Sequence, residues 1–247
     1  MNLTNLCKLK LVSWLNLLTL KLTILGNFKN EGFKLQRLGT EYGGWWIPLS
    51  ALEGDKSKLL VSVGLGYDVS FDSELVKRGF RVIGLDQQVE CVAYAENKIS
   101  SRNATFLCRG LGVESGQVRF FAPRNPLHDS WSITNAQNTN IEQSRIFEVV
   151  SFAELCKEYP EIVNSNFSML KMDIEGAELP ILNAIYSDLE FDFIGVEMDC
   201  LILIPFLNFA QRFRKIAQVR NLISKLKSKG YALIHLDNSN FFLMKIE

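Results

Sequence analysis

The sequence has little of what marks a secreted, metal-stapled or nucleic-acid-binding chain. Its five cysteines, Cys7, Cys91, Cys108, Cys156 and Cys200, are scattered and form no Cys-x-x-Cys pair. Neither a disulfide framework nor a zinc site is indicated, and a reducing, cytoplasmic setting fits best. No sign of charge dominates: 27 Lys and Arg balance 27 Asp and Glu, which removes the basic footprint expected of a general nucleic-acid binder. Long apolar runs are missing as well. The uncharged stretch Leu11–Leu20 is closed by Lys10 and Lys21, well short of the roughly 20 residues that a spanning helix needs. No small-residue cleavage site follows it as in a signal peptide. There is neither an internal repeat nor a low-complexity tract.

What is present suffices for a sizeable core. At 247 residues, 47% hydrophobic and 22% charged, the chain reads as one large domain, or one domain with an appendage. Residues 1–40 stand apart as an N-terminal amphipathic or basic helical segment, and residues 41–247 form the main domain. Lys8, Lys10, Lys21 and Lys29 are the charges of the first thirty residues. Two readings of that segment remain: a helix packed on the domain or a partner, and a basic helix in peripheral contact with a membrane surface.

The rest is organised around residues 59–86. Leu59-Leu60-Val61-Ser62-Val63 is a short apolar run that reads as a buried parallel strand. Gly64-Leu65-Gly66-Tyr67-Asp68 follows as a tight turn. A helical stretch comes next, with Val69, Leu75 and Val76 inward, and stops at Arg78-Gly79. A second strand, Phe80–Leu85, ends at Asp86. Glycines let a backbone approach a ligand closely, and a helix start offers free N–H groups. An acid about 20 residues past such a turn, at the next strand tip, can accept both ribose hydroxyls of a nucleoside. A nucleoside-containing cofactor is therefore expected.

Beyond Asp86 the pattern continues. Val89–Ile99 reads as a helix with Val89, Val92, Ala93 and Ile99 inward. Ala104–Cys108, Gln117–Ala122 and Arg145–Val150 read as strands. Pro123–Ser144 shows little periodicity and reads as a long irregular loop containing His128. Ser151 caps a short helix ending near Pro160. Phe167–Met172 is a strand closed by Asp173, Gly176–Tyr186 a helix, and Phe191–Val196 a strand closed by Glu197. Asn208–Lys229 is a long basic helix stopped by Gly230. Tyr231–Leu236 and Phe241–Ile246 form a hairpin around Asp237-Asn238-Ser239-Asn240. Alternating strands and helices predict an α/β fold with a doubly wound, mainly parallel sheet, the terminal hairpin adding an antiparallel edge strand. Asp86, Asp173 and Glu197 then reach one rim from three separate strands, at the edge where such sheets bind ligands. In Tyr42-Gly43-Gly44-Trp45-Trp46 the two Trp alternate sides in a strand. Either both are packing, or one lines a pocket.

The octapeptide Lys171-Met172-Asp173-Ile174-Glu175-Gly176-Ala177-Glu178 resembles the Lys-x-Asp-x-Glu-Gly-x-Glu signature of FkbM-type methyltransferases. Val63–Asp72 resembles the first motif of the methyltransferase-like branch of that group, and Gly43-Gly44-Trp45 its glycine–aromatic entry segment. The resemblance implies a Rossmann-like class I enzyme that uses S-adenosylmethionine, often to methylate a hydroxyl oxygen of a sugar or secondary metabolite. It implies that Gly64 and Gly66 contact the methionine part, Asp86 the ribose, and that Gln87 lies near the adenine. Many class I enzymes carry an acid two residues before the first motif glycine. This chain has Ser62 there, with Asp68 or Asp72 as possible compensating acids.

Methylating a hydroxyl requires that its proton be removed, and Asp173, Glu197 and His235 are the candidate bases. Each has a plainer use. Asp173 and Glu175 could cap the following helix, Glu197 could pair with the basic helix, and His235 could be a hydrogen-bonded core residue. Asp173 with Glu197 could also hold a divalent cation, but two acids underdetermine a metal, and none is assigned. The acceptor is a small molecule or a glycan hydroxyl. Two rival functions share parts of the pattern. A nicotinamide-dependent oxidoreductase would need its third glycine at Val69. A non-catalytic cofactor-binding or interaction module would be compatible with Ser62.

Overall fold

The computed structural model describes residues 32–54, 57–123, 131–133, 139–202 and 209–246. The expected N-terminal helix and His128 lie outside them. A small hairpin comes first, β1 (Leu35–Leu38) against β2 (Trp45–Pro48), followed by the short helix α1 (Leu49–Leu52). The boundary expected at residue 40 therefore falls inside a hairpin, and Leu38, Trp45 and Ile47 are buried in the domain's core.

Next come β3 (Lys58–Val63), α2 (Ser70–Lys77), β4 (Arg81–Asp86), α3 (Val89–Lys98), β5 (Ala104–Cys108), β6 (Gly110–Gly112), β7 (Gly116–Pro123) and β8 (Thr139–Ser151). The chain continues through α4 (Phe152–Glu158), α5 (Glu161–Asn164), β9 (Phe167–Met172), α6 (Glu178–Ile185), β10 (Phe193–Glu197) and α7 (Asp199–Ile202). It closes with α8 (Phe209–Ser228), β11 (Tyr231–Asp237) and β12 (Asn240–Lys245).

Seven strands form the main sheet in the order β11-β12-β10-β9-β3-β4-β5. Every residue of β3 is buried, because both faces of the sheet are covered. Leu59, Val61 and Val63 enter a core with α4, α6 and α8, through side chains such as Leu155, Leu182 and Leu222. Leu60 enters the opposite core with Trp45, Phe71 and Leu75. The pleat thus sorts alternate residues of one apolar run into two layers, and the expected doubly wound α/β architecture is present.

The structure corrects four expectations. The antiparallel strand is β12, which sits inside the sheet between β10 and β11. The edge strand is β11, because Asn238, with φ 54°, turns the hairpin tightly and β12 pairs on both sides. In α3, Val89 and Ala93 are exposed, whereas Cys91, Val92, Ala95 and Ile99 are buried. Val92 and Ile99 are inward as expected, and Cys91 and Ala95 take the places expected of Val89 and Ala93. The stretch 123–144 is not all irregular: β8 begins at Thr139 and pairs with β7 through a bulge, forming a separate sheet in the order β6-β8-β7. Finally, α6 starts at Glu178 rather than Gly176. Among the described residues no helix is long and apolar enough to cross a membrane.

Candidate active site

The chain leaves β3 through Gly64 (φ 84°) and Gly66 (φ 55°). A Cβ on Gly64 would stand 1.7 Å from the Asp173 carbonyl oxygen. The loops after β3 and β9 therefore touch backbone to backbone, and the Asp173 N–H donates to the Val63 carbonyl at 2.9 Å. Strand order reverses between β3 and β9, which makes this contact the topological switch point where open α/β sheets bind ligands.

Asp86 ends β4, 4% exposed. Its Oδ2 accepts the N–H groups of Leu65 (3.0 Å) and Gly66 (3.1 Å), and its Oδ1 accepts that of Gln88 (2.8 Å). This acid shapes the glycine turn as well as facing the cavity. Ser62 pairs across the sheet with Lys171 of β9. The buried Lys171 ammonium donates to the Gly64 carbonyl at 2.7 Å and lies 5.2 Å from the Trp45 ring centre. Asp72, in the first turn of α2, is buried too. Burial pushes its carboxyl up, and the charge of Lys171 opposes that shift. Of the two acids weighed against Ser62, Asp72 is the one in the interior. Asp68 is half-buried and accepts the Ser70 N–H (2.9 Å) and the Thr40 hydroxyl.

Asp173, Ile174, Glu175 and Gly176 make a strained turn, with Glu175 at φ 58° and Gly176 at φ 101°. Glu178 Oε1 pins it by accepting the N–H groups of Ile174 and Gly176, each at 3.0 Å. The N-cap position of helix α6 is held by Ala177, which makes no side-chain hydrogen bond, and neither Asp173 nor Glu175 occupies it. Glu178 is the structural acid of the octapeptide. Glu197, at the end of β10, accepts the Ser239 hydroxyl at 2.8 Å. Burial, then the Asp173 charge, raises its carboxyl to about 7. His235 lies against Trp46, with ring centroids 4.9 Å apart, and against Phe242. It is not among the residues lining the main cavity.

That cavity, about 420 Å³, is lined by Gly64, Gly66, Asp68, Asp86 and Gln87 together with Asp173 and Glu197. Its volume is within the usual range for a small-molecule site. Trp45 is core, whereas Trp46 is half-buried at the rim, with its Nε1 donating to Asp237 Oδ2 at 3.0 Å. Sequence reasoning missed Asp199, Asp237, Asn240 and Trp131, which also line it. A strand-end signal existed for Asp237, but none for Trp131. A second, mostly apolar cavity of about 280 Å³ shares Gln87 and Ile174 with the first.

Glu178 and Asp199 are buried together, and burial first, then their neighbouring carboxylates in the case of Asp199, holds both well above the carboxylate range. With Glu197 they bind protons in the folded state that the unfolded chain releases. For Glu178 and Glu197 that stabilisation is complete below about pH 4.5 and is lost as pH rises through about 7, while that of Asp199 keeps falling up to about pH 11. The melting temperature should therefore fall between pH 5.5 and 8.5 in a calorimetric pH series. A rise over that range would mean the three acids are not buried together.

The sequence profile of the methyltransferase FkbM domain matches residues 54–233. The chain belongs to the FkbM methyltransferase family. Its cofactor is S-adenosylmethionine, and the site fits that group. The glycine turn admits no Cβ at Gly64, an acid stands at the second strand tip, and the cavity is large enough for a nucleoside. Val69, where a dinucleotide fingerprint would need glycine, has an ordinary φ of −102°. No curated protein matches the chain. Among solved structures it is similar to the Methanococcus jannaschii fibrillarin pre-rRNA processing protein (10% identity, TM-score 0.39, covering 88% of this chain and 84% of that one). It is also similar to a TehB-like S-adenosylmethionine-dependent methyltransferase from Corynebacterium glutamicum (12% identity, TM-score 0.35, covering 80% and 85%).

Replacing Asp86 in this methyltransferase by Ala should weaken S-adenosylhomocysteine binding at least tenfold by calorimetry, since bonds to a charged acceptor are worth about 1.5–3 kcal/mol each. Because Asp86 also holds two loop amides, the melting temperature should fall too. Unchanged affinity would restrict Asp86 to the loop.

Proposed function

We propose that this methyltransferase methylates a hydroxyl oxygen of a small molecule or glycan, with Asp173 taking the hydroxyl proton. The observation that carries this reading is the locking of the Asp173 backbone to the glycine loop, with the Asp173 side lining the same cavity. The base and the methyl donor are thereby held together. Gly64 and Gly66 would receive the methionine part, Asp86 the ribose, and Gln87, beside the apolar second cavity, the adenine. The bound cofactor supplies a methyl group on a positively charged sulfur, which departs as a neutral thioether. The protein's share is to align the acceptor, which can lower a barrier by roughly 7–11 kcal/mol, and to accept its proton. Glu197 stands at the neighbouring strand end, where burial and then the Asp173 charge raise its carboxyl to about 7.

Two measurements test this. S-adenosylhomocysteine at 100 times its dissociation constant should stabilise the fold by about 2.7 kcal/mol, with no shift from NAD. Release of S-adenosylhomocysteine from S-adenosylmethionine should then appear in a screen of hydroxyl compounds. Turnover confined to amines or thiols would overturn the oxygen assignment.

A further inference from the structure

We propose that Lys171 receives the carboxylate of the cofactor's methionine part, so that this chain reads that end of the cofactor with a buried cation where Ser62 stands in place of an acid. The inference rests on the placement of the methionine part at the glycine turn given above and deepens it.

Lys171 is built into the wall beside that turn. It sits on β9 between Ser62 of β3 and Gly195 of β10. An added Cβ at Gly195 would stand 3.0 Å from the Trp45 ring, so the lack of a side chain there lets the ring lie over the sheet. The Lys171 ammonium is 5.2 Å from the ring centre, and a ring face attracts a cation. It donates to the Gly64 carbonyl at 2.7 Å, which uses one of its three N–H groups. The residue is 3% exposed and lines the main cavity together with Gly64 and Gly66. Its charge is thus fixed at the turn assigned to the methionine part.

The surroundings select an anion for that place. Two acids feel the Lys171 charge, Asp72 in the first turn of α2 and Glu197 at the end of β10. In both, burial first of all outweighs that charge and holds the carboxyl above its ordinary range. Neither is therefore a full counter-charge, and a buried ammonium without one is costly. Asp72, moreover, does not line the cavity. Elsewhere the cavity repels anions. Eight carboxylates line it against two cations, Lys171 and Arg37. The Arg37 guanidinium donates to the Thr40 carbonyl (2.8 Å) and the Glu41 carbonyl (2.7 Å), on the β1–β2 hairpin rather than on the glycine turn. Like charges repel, so the one carboxylate of the cofactor gains most beside Lys171.

The test is calorimetric binding of S-adenosylhomocysteine and of its decarboxylated analogue, which keeps the amine, to the full chain. Wild-type protein should bind the analogue at least about tenfold more weakly, the loss expected of one hydrogen-bonded charge pair. Lys171→Met should narrow that gap to within about threefold or reverse it, and Arg37→Gln should keep it. A lysine that only clamps the glycine turn would weaken both ligands alike in Lys171→Met and leave the gap as it was. That result overturns the inference. So does an analogue that binds wild-type protein within about threefold of S-adenosylhomocysteine, or a gap that closes in Arg37→Gln. Should melting show that Lys171→Met does not fold, the wild-type gap and its survival in Arg37→Gln decide, because Arg37 is the other cation lining the cavity. Failure of S-adenosylhomocysteine to bind at all would instead count against the placement of the cofactor at this site.

Discussion

Asp173→Asn should slow methyl transfer at least a hundredfold while changing stability by less than about 1 kcal/mol. The rate expectation follows from the role, since loss of a general base typically costs 10²–10⁴-fold. The stability expectation follows from what Asp173 is not. The N-cap position of helix α6 is held by Ala177 and not by Asp173, so the roughly 1 kcal/mol of a lost N-cap residue does not arise. Its backbone bond to Val63 survives the change. Removing its charge also relieves Glu197, whose carboxyl is held up partly by Asp173. The residual activity of the variant should therefore show its acidic limb at lower pH than the wild type. Steady-state turnover with an acceptor from the hydroxyl screen, measured from pH 5.5 to 8.5, checks both points. Near-normal turnover would return Asp173 to the loop and move the proton to Glu197.

Much of this site is legible in the sequence because it depends on short-range order. A strand, a glycine turn and an acid at the next strand tip place Gly64, Gly66 and Asp86 together by chain geometry alone. Parallel pairing of β9 and β10 then delivers Asp173 and Glu197 to the same rim. What is not legible depends on long-range packing. Ser62 looks like a missing charge in one dimension. In three, its neighbour Lys171 is a buried cation faced by Asp72 from a different element. His235 has the chemistry of a base, but the bulge between Leu233 and His235 and the ring of Trp46 decide where it sits. Glu178 reads as one more acid of a motif, and only the left-handed turn at Glu175 reveals why two amides need it. The β6-β8-β7 sheet escaped notice because its longest strand begins in a stretch rich in Asn and poor in periodicity. Trp131 reaches the cavity beside that sheet, through a bridge from Ser132 to Phe121.

Among the described glycines, Gly64→Ala should be the most damaging change, and Gly79→Ala shows how to isolate the reason. Both glycines have φ 84°, so both variants carry the cost of an L-residue in left-handed backbone, roughly 1–2 kcal/mol. Around Gly79 an added Cβ meets nothing within 4 Å, and the cost should stop there. At Gly64 the same carbon would lie 1.7 Å from the Asp173 carbonyl oxygen, a backbone atom held in place by the Asp173–Val63 bond. Overpacking a tight site adds typically 1–3 kcal/mol, so Gly64→Ala should lose about 2–5 kcal/mol in all. The escape route is to push the glycine loop away from β9. That movement would break the Lys171 bond to the Gly64 carbonyl and disturb the amides held by Asp86. Binding of S-adenosylhomocysteine should then fall far more than in Gly79→Ala, whose loop is untouched. Chemical denaturation and calorimetric binding of the two variants side by side give the comparison. If Gly64→Ala matches Gly79→Ala in both measurements, the loops after β3 and β9 are not in contact, and the shared anchoring of base and cofactor at the switch point is wrong.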